Sequence, residues 1–314
     1  MTGKDNNSLY MRRCLQLAAC GRGFVAPNPM VGAVVVHNDR IIGEGFHGEF
    51  GGPHAEVQAI ASVKDKELLK NSTLYVNLEP CAHYGKTPPC VDLICEKQIP
   101  RVVVGQEDPF PEVCGKGIKK LRDAGIDVEC GILEEECKEL NKRYLIYTLQ
   151  HRPYILLKWA QSADGFMDRL REENDGQKPV IFSDAFTRVL VHKTRSEESA
   201  ITVGTRTLRL DKPALNVRYW KGKDPVKITL DSELPLQQQI GELYHRHIQS
   251  LMVEGGAKLL HSFLKENLWD EIQIEVASFP LKIGVAAPAP RGTLQSVQKC
   301  ENSTLFHYKN GSNS

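Results

Sequence analysis

The chain contains 314 residues, of which 41% are hydrophobic and 25% are charged, a composition typical of an ordered globular protein. At about 150 residues per domain, this length predicts two domains. The 40 basic and 39 acidic residues nearly cancel, and this balance argues against a nucleic-acid-binding surface.

Hydropathy and cysteine content bear on where the protein works. The first eight residues are polar and lack the apolar core of a signal peptide. No apolar run approaches the ~20 residues needed to span a bilayer. Nine cysteines, an odd number scattered along the chain, are not typical of a disulfide framework. These features predict a cytoplasmic protein.

The first half alternates predicted helices and strands. Ser8 can cap a helix that ends near Ala19, and MVGAVVVHNDRIIGEGFH predicts a hairpin with its turn at Asn38-Asp39. The next predicted elements are helices in PHAEVQAIASV and CVDLICEKQ, strands in STLYVNLEPC and RVVVGQEDP, a helix and strand in GKGIKKLRDAGIDVECGIL, and one closing helix in LEEECKELNKRYLIYTLQ. The alternation predicts a layered α/β domain.

The boundary is placed after residue 150, because Pro153 follows a polar stretch and opens a new strand, YILLKWAQS. The predicted domains are therefore 1–150 and 151–314. The second half shows no internal repeat of the first. Its predicted elements are a helix around Asp184 to Arg195, strands in SAITVGT, VKITLD and IQSLMVEGG, a helix over Lys258 to Glu266, and a strand in EIQIEVAS.

Residues 54 to 90 contain the pattern of a catalytic zinc site. His54 and Glu56 form H-A-E at the start of a predicted helix, Cys81 follows Pro80 after a strand, and Cys90 starts the next helix. One imidazole and two thiolates suit zinc and leave a fourth position for water. Glu56 is placed to take the water proton and to pass it to a ring nitrogen and to departing ammonia, as in zinc deaminases.

Two structural alternatives compete with this interpretation. The cluster could be a structural zinc site with His83 as fourth ligand, or a set of unligated core residues. The match of H-x-E, P-C and a distal cysteine in the predicted strand and helix context favours catalysis. Eight residues, AHYGKTPP, separate Cys81 from Cys90, which argues against an ordinary cytidine, guanine or tRNA adenosine deaminase.

Several segments resemble one enzyme family. PNPMVGAVVV, PHAEVQAI, LYVNLEPCAHYGKTPPC and DPFP closely resemble the deaminase half of the bifunctional riboflavin-biosynthesis deaminase/reductase, over residues 8 to 145. LKWAQSADG, VGTRTLRLDKPALNVR and MVEGGAKLLHSF resemble its reductase half, in the same order. The resemblance implies an α/β protein in which a cytidine-deaminase-like three-layer domain is followed by a dihydrofolate-reductase-like domain.

The same resemblance implies two consecutive reactions. Zinc-dependent deamination converts 2,5-diamino-6-(5-phosphoribosylamino)pyrimidin-4-one to the corresponding uracil. NADPH then reduces the ribosyl group to a ribityl chain. We expect a phosphoribosylated pyrimidine as substrate, no nucleic acid or membrane partner, and a homo-oligomer.

The resemblance also implies pocket residues in the deaminase half, where polar groups suit a phosphoribosyl tail and a pyrimidine edge. They are Asn28, His47, His83, Lys86 and Asp108. Asn28 stands between two prolines and could instead be a turn former. The family usually has asparagine where Phe110 stands, so one pocket hydrogen bond is expected to be lost or supplied by another residue.

In the reductase half, VEGGAKLLHSF predicts a strand, a Gly-Gly turn and a helix start that can cradle a pyrophosphate, although such a turn is often only a connection. Arginine pairs bidentately with phosphate, although each arginine here could equally be a surface charge. The implied cofactor residues are Ala160, Thr207, Asp211, Gly256, Ala257, Lys258 and Leu259 with the run on to Ser262; the implied substrate residues are Lys158, Arg195, Leu215, Arg218 and Glu254.

This half departs from the family pattern in three places. Lys178 and Val180 stand where serine and tryptophan are frequent. LQQQIGELYHRHIQ follows ITLDSELP directly, where another strand and helix are usual, and the stretch after EVASFP is compressed. The domain could be a trimmed but active reductase, a module reduced to dimerisation, or a domain with loops absent from the written sequence. We favour a reductase that is, or once was, active.

Three rival functions remain at this level. The chain could be a deaminase whose second half is structural, a deaminase of nucleic acids, or a zinc-stabilised scaffold without catalysis. The net charge of +1 and the long spacing between Cys81 and Cys90 argue against the second.

Overall fold

The computed structural model describes residues 3–84, 88–110, 114–172 and 176–311. The chain divides into two compact units, Met1–Gln150 and His151–Ser314. Helices and sheets alternate in both, which confirms the predicted α/β class. Within the described ranges, no helix is both long and apolar enough to cross a bilayer.

The first unit follows the predicted order of elements. They are α1 (Gly3–Ala19), β1 (Gly32–His37), β2 (Arg40–Phe46), α2 (Ala55–Ser62), β3 (Thr73–Leu78), α3 (Cys90–Glu96), β4 (Arg101–Gln106), α4 (Lys116–Asp123), β5 (Asp127–Cys130), α5 (Glu134–Leu140) and α6 (Lys142–Gln150). At the predicted hairpin turn, Asn38 and Asp39 have φ of 47° and 58°, as a two-residue turn of this kind requires.

The sheet of the first unit has the order β2-β1-β3-β4-β5, with β1 antiparallel to β2 and β3, and with β3, β4 and β5 parallel. Alternate residues of each strand face opposite sides. Val35 and Val76 belong to the core beneath α2, α3 and α4, whereas Val34 and Tyr75 belong to the core beneath α1 and α5. The unit therefore has three layers, as expected.

The predicted closing helix is instead two helices that meet at Asn141. This side chain is buried, and its Oδ1 accepts a hydrogen bond from the Met30 backbone N at 2.8 Å while its Nδ2 donates to the Met30 O at 2.9 Å. The two bonds fix the chain where α5 ends. A contact between residues so distant in sequence leaves no trace in helical periodicity, so the break could not be predicted. Helix α1 also begins at Gly3 rather than Ser8.

The second unit contains the predicted strands and helices together with others. Its elements are β6 (Tyr154–Gln161), β7 (Phe166–Asp168), α7 (Ala185–Glu197), β8 (Ala200–Thr202), α8 (Thr205–Asp211), β9 (Val226–Ile228), α9 (Leu236–His245), β10 (Ser250–Glu254), α10 (Ala257–Lys265), β11 (Glu271–Ala277), β12 (Val285–Ala286), β13 (Thr293–Lys299) and β14 (Ser303–Lys309).

The large sheet of this unit has the order β13-β14-β11-β6-β10-β8-β9, and β7 pairs with β12 separately. Strands β11, β6, β10, β8 and β9 are parallel, and β14 and β13 extend the sheet as an antiparallel hairpin. The sequence pattern did not predict this hairpin. The register of β13 shifts between Leu294 and Ser296, so its apolar residues Leu294 and Val297 do not alternate.

The parallel register decides which side chains meet at the end of the sheet. Lys158, near the end of β6, is the register partner of Glu254, the last residue of β10. Ile155, Leu157 and Trp159 of β6 pack in the core that also contains residues of α9 and α10. The charged pair thus lies at the edge where open α/β sheets bind ligands.

Candidate active sites

Three potential metal ligands converge in the first unit. His54 caps the amino end of α2, Cys81 follows β3, and Cys90 is the first residue of α3. His54 Nδ1 lies 3.2 Å from Cys90 Sγ and 3.6 Å from Cys81 Sγ. The three ligand atoms all lie within 4.8 Å of one another. The structure therefore brings the three predicted ligands together.

The spacing of these atoms fits a zinc ion. Bonds of about 2.1 Å to nitrogen and about 2.3 Å to sulfur at tetrahedral angles separate the two atoms by about 3.6 Å. The separation of His54 Nδ1 from Cys81 Sγ has that value. Among the described residues, the group with metal-ligand geometry consists of these three side chains and does not include His83. Three protein ligands leave a fourth position open, which favours a catalytic site.

The cluster shifts the pKa values of its own members. A hydrogen bond from the Cys90 thiol, together with His54, lowers the pKa of Cys81 to about 4. The neighbouring Cys81 and burial raise the pKa of Cys90, while the bond to Cys81 raises the pKa of His54. A site that stabilises a thiolate beside an imidazole is suited to a divalent cation.

Glu56 is a buried carboxyl group next to these ligands. It lies in the first turn of α2 and is 3% exposed. Burial, reinforced by the Cys81 thiolate, raises the pKa of Glu56 to about 7. A carboxyl group in this range can hold a proton at neutral pH and release it again, which a proton shuttle requires.

His47 and Asn28 form a pair beside His54. Asn28 Nδ2 lies 3.1 Å from His47 Nε2, and His47 Nδ1 lies 3.1 Å from the Pro53 carbonyl oxygen. Since a carbonyl oxygen only accepts, Nδ1 carries the proton, and Nε2 accepts from Asn28. The bond directs the Asn28 amide nitrogen towards His47. Both ring nitrogens of His47 take part in these hydrogen bonds, and the bond to Asn28 holds the Asn28 side chain in place.

Asp108 lies beyond the end of β4 and is buried, which raises its pKa. Its Oδ1 accepts hydrogen bonds from the Phe110 backbone N and from the Tyr144 hydroxyl, both at 2.9 Å. His83 is exposed and lies close enough to Asp108 for a weak electrostatic interaction. Lys86 lies outside the described residues. Tyr144 was not predicted, since nothing in its helix distinguishes it from a surface tyrosine.

The second unit contains a cavity of about 950 Å³ at the carboxyl ends of its parallel strands. This volume lies at the upper end of the range of small-molecule sites. Ten of the predicted residues line it, and three predicted substrate residues, Arg195, Leu215 and Arg218, do not. The ten are Lys158, Ala160, Thr207, Asp211, Glu254, Gly256, Ala257, Lys258, Leu259 and Ser262.

The Gly-Gly turn after β10 fits a pyrophosphate. Gly255 and Gly256 have φ of 87° and 81°, which favour glycine, and Gly256 precedes the first residue of α10. A Cβ atom on Gly256 would lie 3.1 Å from the Gly204 Cα. Two backbones therefore approach each other beside a helix amino terminus, and Lys258 supplies a cation on the same wall of the cavity.

Glu254, the last residue of β10, interacts with two cationic side chains. Its Oε1 lies 3.7 Å from Lys158 Nζ, and its Oε2 accepts a hydrogen bond from Arg195 Nε at 3.1 Å. Burial opposes ionisation of Glu254, but the two cations outweigh it and hold the pKa of the carboxyl group below its usual value. Arg195 does not line the cavity, but it hydrogen-bonds to Glu254, which does.

The other two predicted substrate residues lie in the neighbouring loop. Arg218 donates its backbone N–H to His192 Nδ1 at 3.0 Å and its Nη1 proton to Asn216 Oδ1 at 2.8 Å. Leu215 is buried with a φ of 48°. The roles of these residues stay predictions.

A buried arginine that lines the cavity, Arg171, and its pairing with two aspartates were not predicted. Arg171 is 5% exposed; its Nε donates to Asp168 Oδ2 at 2.7 Å and its Nη2 donates to Asp211 Oδ1 at 2.7 Å. Asp211, predicted to contact the cofactor, thus also ties α8 to the segment after β7. Arg171 and Asp168 lie far from Asp211 in sequence, so only the fold relates them.

Both units match family models of known proteins. The model of the cytidine and deoxycytidylate deaminase zinc-binding region matches residues 4–106, and the model of the RibD C-terminal domain matches residues 153–241 and 233–312. The chain is 40% identical over 312 residues to the riboflavin biosynthesis protein RibD of Aquifex aeolicus, covering 85% of this chain and 86% of that protein. It is 33% identical over 359 residues to RibD of Escherichia coli, covering 96% and 94%.

The chain belongs to the RibD family. It also resembles the crystal structure of a diaminohydroxyphosphoribosylaminopyrimidine deaminase/5-amino-6-(5-phosphoribosylamino)uracil reductase from Thermotoga maritima, with a TM-score of 0.89, 34% identity, and coverage of 98% of this chain and 99% of that one. The predicted fold, and the predicted bifunctional enzyme of riboflavin biosynthesis with zinc and NADPH as cofactors, are confirmed.

The comparison also locates the shortening of the reductase half. The two matched segments of the C-terminal model meet at residues 233–241, where ITLDSELP runs directly into LQQQIGELY. In the structure, β9 leads through a short turn into α9, and Asp231 and Gln239 close that turn with a hydrogen bond of 2.8 Å. The short connection leaves the parallel sheet and its cavity in place.

Proposed function

We propose that the first unit deaminates 2,5-diamino-6-(5-phosphoribosylamino)pyrimidin-4-one, and that the second unit uses NADPH to reduce the ribosyl group of the resulting uracil. The observation that carries the proposal is the pairing of two sites in one chain. A His-Cys-Cys cluster with buried Glu56 lies in the first unit, and a cavity large enough for a dinucleotide lies in the second.

In the first reaction, water replaces the exocyclic amino group of the ring, which leaves as ammonia. Zinc held by His54, Cys81 and Cys90 would lower the pKa of a bound water towards 7 and so provide a nucleophile at neutral pH. Glu56 accepts the proton of the attacking water. It donates that proton to the ring nitrogen. It then takes the proton of the hydroxyl group added to the ring and donates it to the departing amine, so that a carbonyl group and ammonia form; its raised pKa suits both directions of transfer.

The substrate is recognised by polar groups around this cluster. Asn28 uses its amide nitrogen on His47, so its carbonyl oxygen is the group it can offer to an amino group on the pyrimidine. Asp108 is held on one carboxylate oxygen by Phe110 and Tyr144 and offers the other to the ring. Lys86 and His83 are proposed to contact the phosphoribosyl tail as cations.

In the second reaction, NADPH supplies a hydride and the medium supplies a proton, so the opened ribosyl group becomes a ribityl chain. Gly256, Ala257, Lys258 and Leu259 would hold the pyrophosphate at the start of α10, with Ala160, Thr207 and Asp211 along the cofactor. Lys158, which is paired with Glu254, would donate a proton or a hydrogen bond to the ribosyl oxygen. Arg195, Leu215 and Arg218 are proposed to receive the rest of the substrate.

A coupled assay on the purified, zinc-loaded protein tests the proposal. Ammonia release and NADPH oxidation are followed separately after addition of the diaminopyrimidine. We expect ammonia without NADPH, and both signals in sequence when NADPH is present. Ammonia release without NADPH oxidation, even with the uracil intermediate added directly, would favour the alternative of a deaminase with a structural second domain. A protein that releases no ammonia would contradict the deaminase proposal.

We further propose that the enzyme works in the cytoplasm as a homo-oligomer. The nine cysteines, all in the described part of the chain, are free thiols, which fits a reducing compartment. Strand β13 is an exposed edge strand, a common place for pairing with a second copy. Cell fractionation and light scattering of the purified protein test these two statements.

A further inference from the structure

Glu79 is a buried carboxylate that lies between the end of β3 and Cys81. It is 4% exposed and accepts four hydrogen bonds, all from backbone N–H groups. The donors are Asp108 at 3.2 Å and Gly115 at 2.9 Å on Oε2, and Gly117 at 2.8 Å and Ile118 at 3.1 Å on Oε1. The proton-transfer chemistry described above makes no use of this group.

The four donors belong to one segment. Asp108 and Gly115 are the two ends of the loop between β4 and α4, so a single oxygen holds both ends of that loop. Gly117 and Ile118 are in the first turn of α4, whose N-cap residue has no side chain to satisfy them. Glu79 therefore caps α4 from another strand and closes the loop at the same time.

The two glycines are what allow this approach. A Cβ atom on Gly117 would lie 2.1 Å from the Pro80 carbonyl oxygen and 3.1 Å from Glu79 Oε1. Gly115 has a φ of 68°, which favours glycine. The sequence Gly-Lys-Gly at the start of α4 is thus explained by the carboxylate that it surrounds.

The loop that Glu79 closes carries Asp108, and the strand end that carries Glu79 also carries the metal ligand Cys81. Glu79 fixes the backbone of Asp108, while Tyr144 and the Phe110 N–H fix its carboxylate. The distance from the metal cluster to Asp108 is therefore set through the short stretch from Glu79 to Cys81.

We propose that Glu79 is a positioning residue for the deaminase reaction, which holds the Asp108 loop at the distance from the metal cluster that the substrate ring requires. The inference rests on the proposed function, since it takes Asp108 as a substrate contact. Glu79 does not touch the reacting atoms. It acts through the backbone of Asp108 and of Gly115, Gly117 and Ile118.

Glu79→Gln tests this role. The amide keeps the shape of the side chain, but its NH₂ group would face N–H donors that need an acceptor. We expect KM for the diaminopyrimidine to rise roughly 10- to 100-fold, with a smaller fall in kcat, because buried donors lose a charged acceptor. Zinc content should stay at one ion per chain. NADPH-dependent reduction of the uracil intermediate by the same preparation should not change.

Glu129→Gln is a matched control. Glu129 is a partly buried carboxylate of the same unit, and its side chain accepts hydrogen bonds from Asn7 and Arg101, which lie outside the segment that Glu79 holds. This variant loses the same charge and should keep KM within about twofold, as expected for a site away from special features. An equal rise of KM in both variants would contradict the proposal.

A double-mutant cycle separates positioning from general stability. If Glu79 acts through Asp108, then Glu79→Gln should have little further effect on KM in an Asp108→Asn background. Additive effects, or an unchanged KM in Glu79→Gln alone, would overturn the inference. Failure of the proposed function has a different signature, because the unmodified enzyme would then release no ammonia.

Gly115→Ala covers the case in which Glu79→Gln does not fold or does not bind zinc. Nothing lies within 4 Å of a Cβ atom at this position, so only the backbone conformation is strained. We expect KM to rise by roughly 5- to 10-fold with zinc retained, from about 1 kcal/mol of strain converted at RT. An unchanged KM in this variant would equally contradict the proposal.

Discussion

The two units of this chain build their sites in different ways. In the first, four reactive groups lie between residues 54 and 90, and each changes the pKa of its neighbours. In the second, the cavity takes its walls from segments spread over more than a hundred residues, and its buried charges are paired with one another. The difference follows from the chemistry, since a metal demands particular ligand atoms, whereas a dinucleotide demands mainly shape, backbone donors and a few charges.

The comparison also shows what the two sites share. In both units the proposed functional side chains lie at the carboxyl ends of parallel strands. Cys81 and Asp108 follow β3 and β4, and Glu254 is the last residue of β10. Open α/β sheets place ligand sites at this edge. The two sites lie in separate compact units, so a substitution that removes one site should leave the other intact. Each unit therefore serves as the control for the other in the following experiments.

The largest effect is expected from Cys90→Ala. Removing one of three ligands should leave too few donors to retain zinc, so zinc content and ammonia release should both be lost. Reduction of the uracil intermediate with NADPH should continue at the wild-type rate. If Cys90→Ala retains zinc and His83→Ala loses it, the ligand set includes His83 in place of Cys90.

The next effect is expected from Glu56→Gln. Loss of the proton shuttle should lower kcat for deamination by about 10²- to 10⁴-fold, the usual contribution of general acid–base catalysis. Zinc content and the reductase rate should be unchanged, which separates this variant from Cys90→Ala. A variant that still deaminates at the wild-type rate would show that another group moves the proton.

In the second unit we expect an intermediate effect from Gly256→Val. The new side chain would meet Gly204 and would require a strained φ, which costs about 1–3 kcal/mol or roughly 5- to 150-fold in cofactor affinity. KM for NADPH should rise by that factor, measured from NADPH oxidation with the uracil intermediate. Ammonia release is the internal control, and a parallel loss of both activities would point to misfolding.

The smallest effect is expected from Phe110→Asn. Phe110 is 36% exposed and donates its backbone N–H to Asp108 Oδ1. The family resemblance of the sequence implies an asparagine at this position. One added hydrogen bond is worth about 1 kcal/mol, so KM for the diaminopyrimidine should fall by roughly fivefold. A rise in KM would show that this chain uses the phenyl ring for substrate binding.

Most of the deaminase site could be predicted because candidate metal ligands and a proton shuttle are recognised from residue type and spacing. His54, Glu56, Cys81 and Cys90 were named from the sequence, and the structure brings them together. The partners that hold the surrounding groups could not be named. Tyr144 reaches Asp108 from a helix far along the chain, and Asn141 breaks the last predicted helix by bonding Met30.

In the reductase half, the predicted residues fall into two groups. Those in short motifs next to strand ends, such as Lys158, Glu254 and Gly256, line the cavity, whereas Arg195 and Arg218 do not. Arg171 was missed, because an arginine in a polar loop gives no signal of burial. Its role depends on Asp168 and Asp211, which only the folded chain brings within reach.

The sequence by itself determined the family, and it predicted two domains, the candidate metal ligands and the candidate proton shuttle, because metal chemistry and short motifs act through residue identity at close spacing. The tertiary structure alone decided which groups hold those residues in place. Glu79 beside Gly117, His47 beside Asn28, and Glu254 between Lys158 and Arg195 are pairings across strands and loops. Hydrogen-bond geometry and burial decide which residues pair in this way, and neither can be predicted from the spacing of residues along the chain.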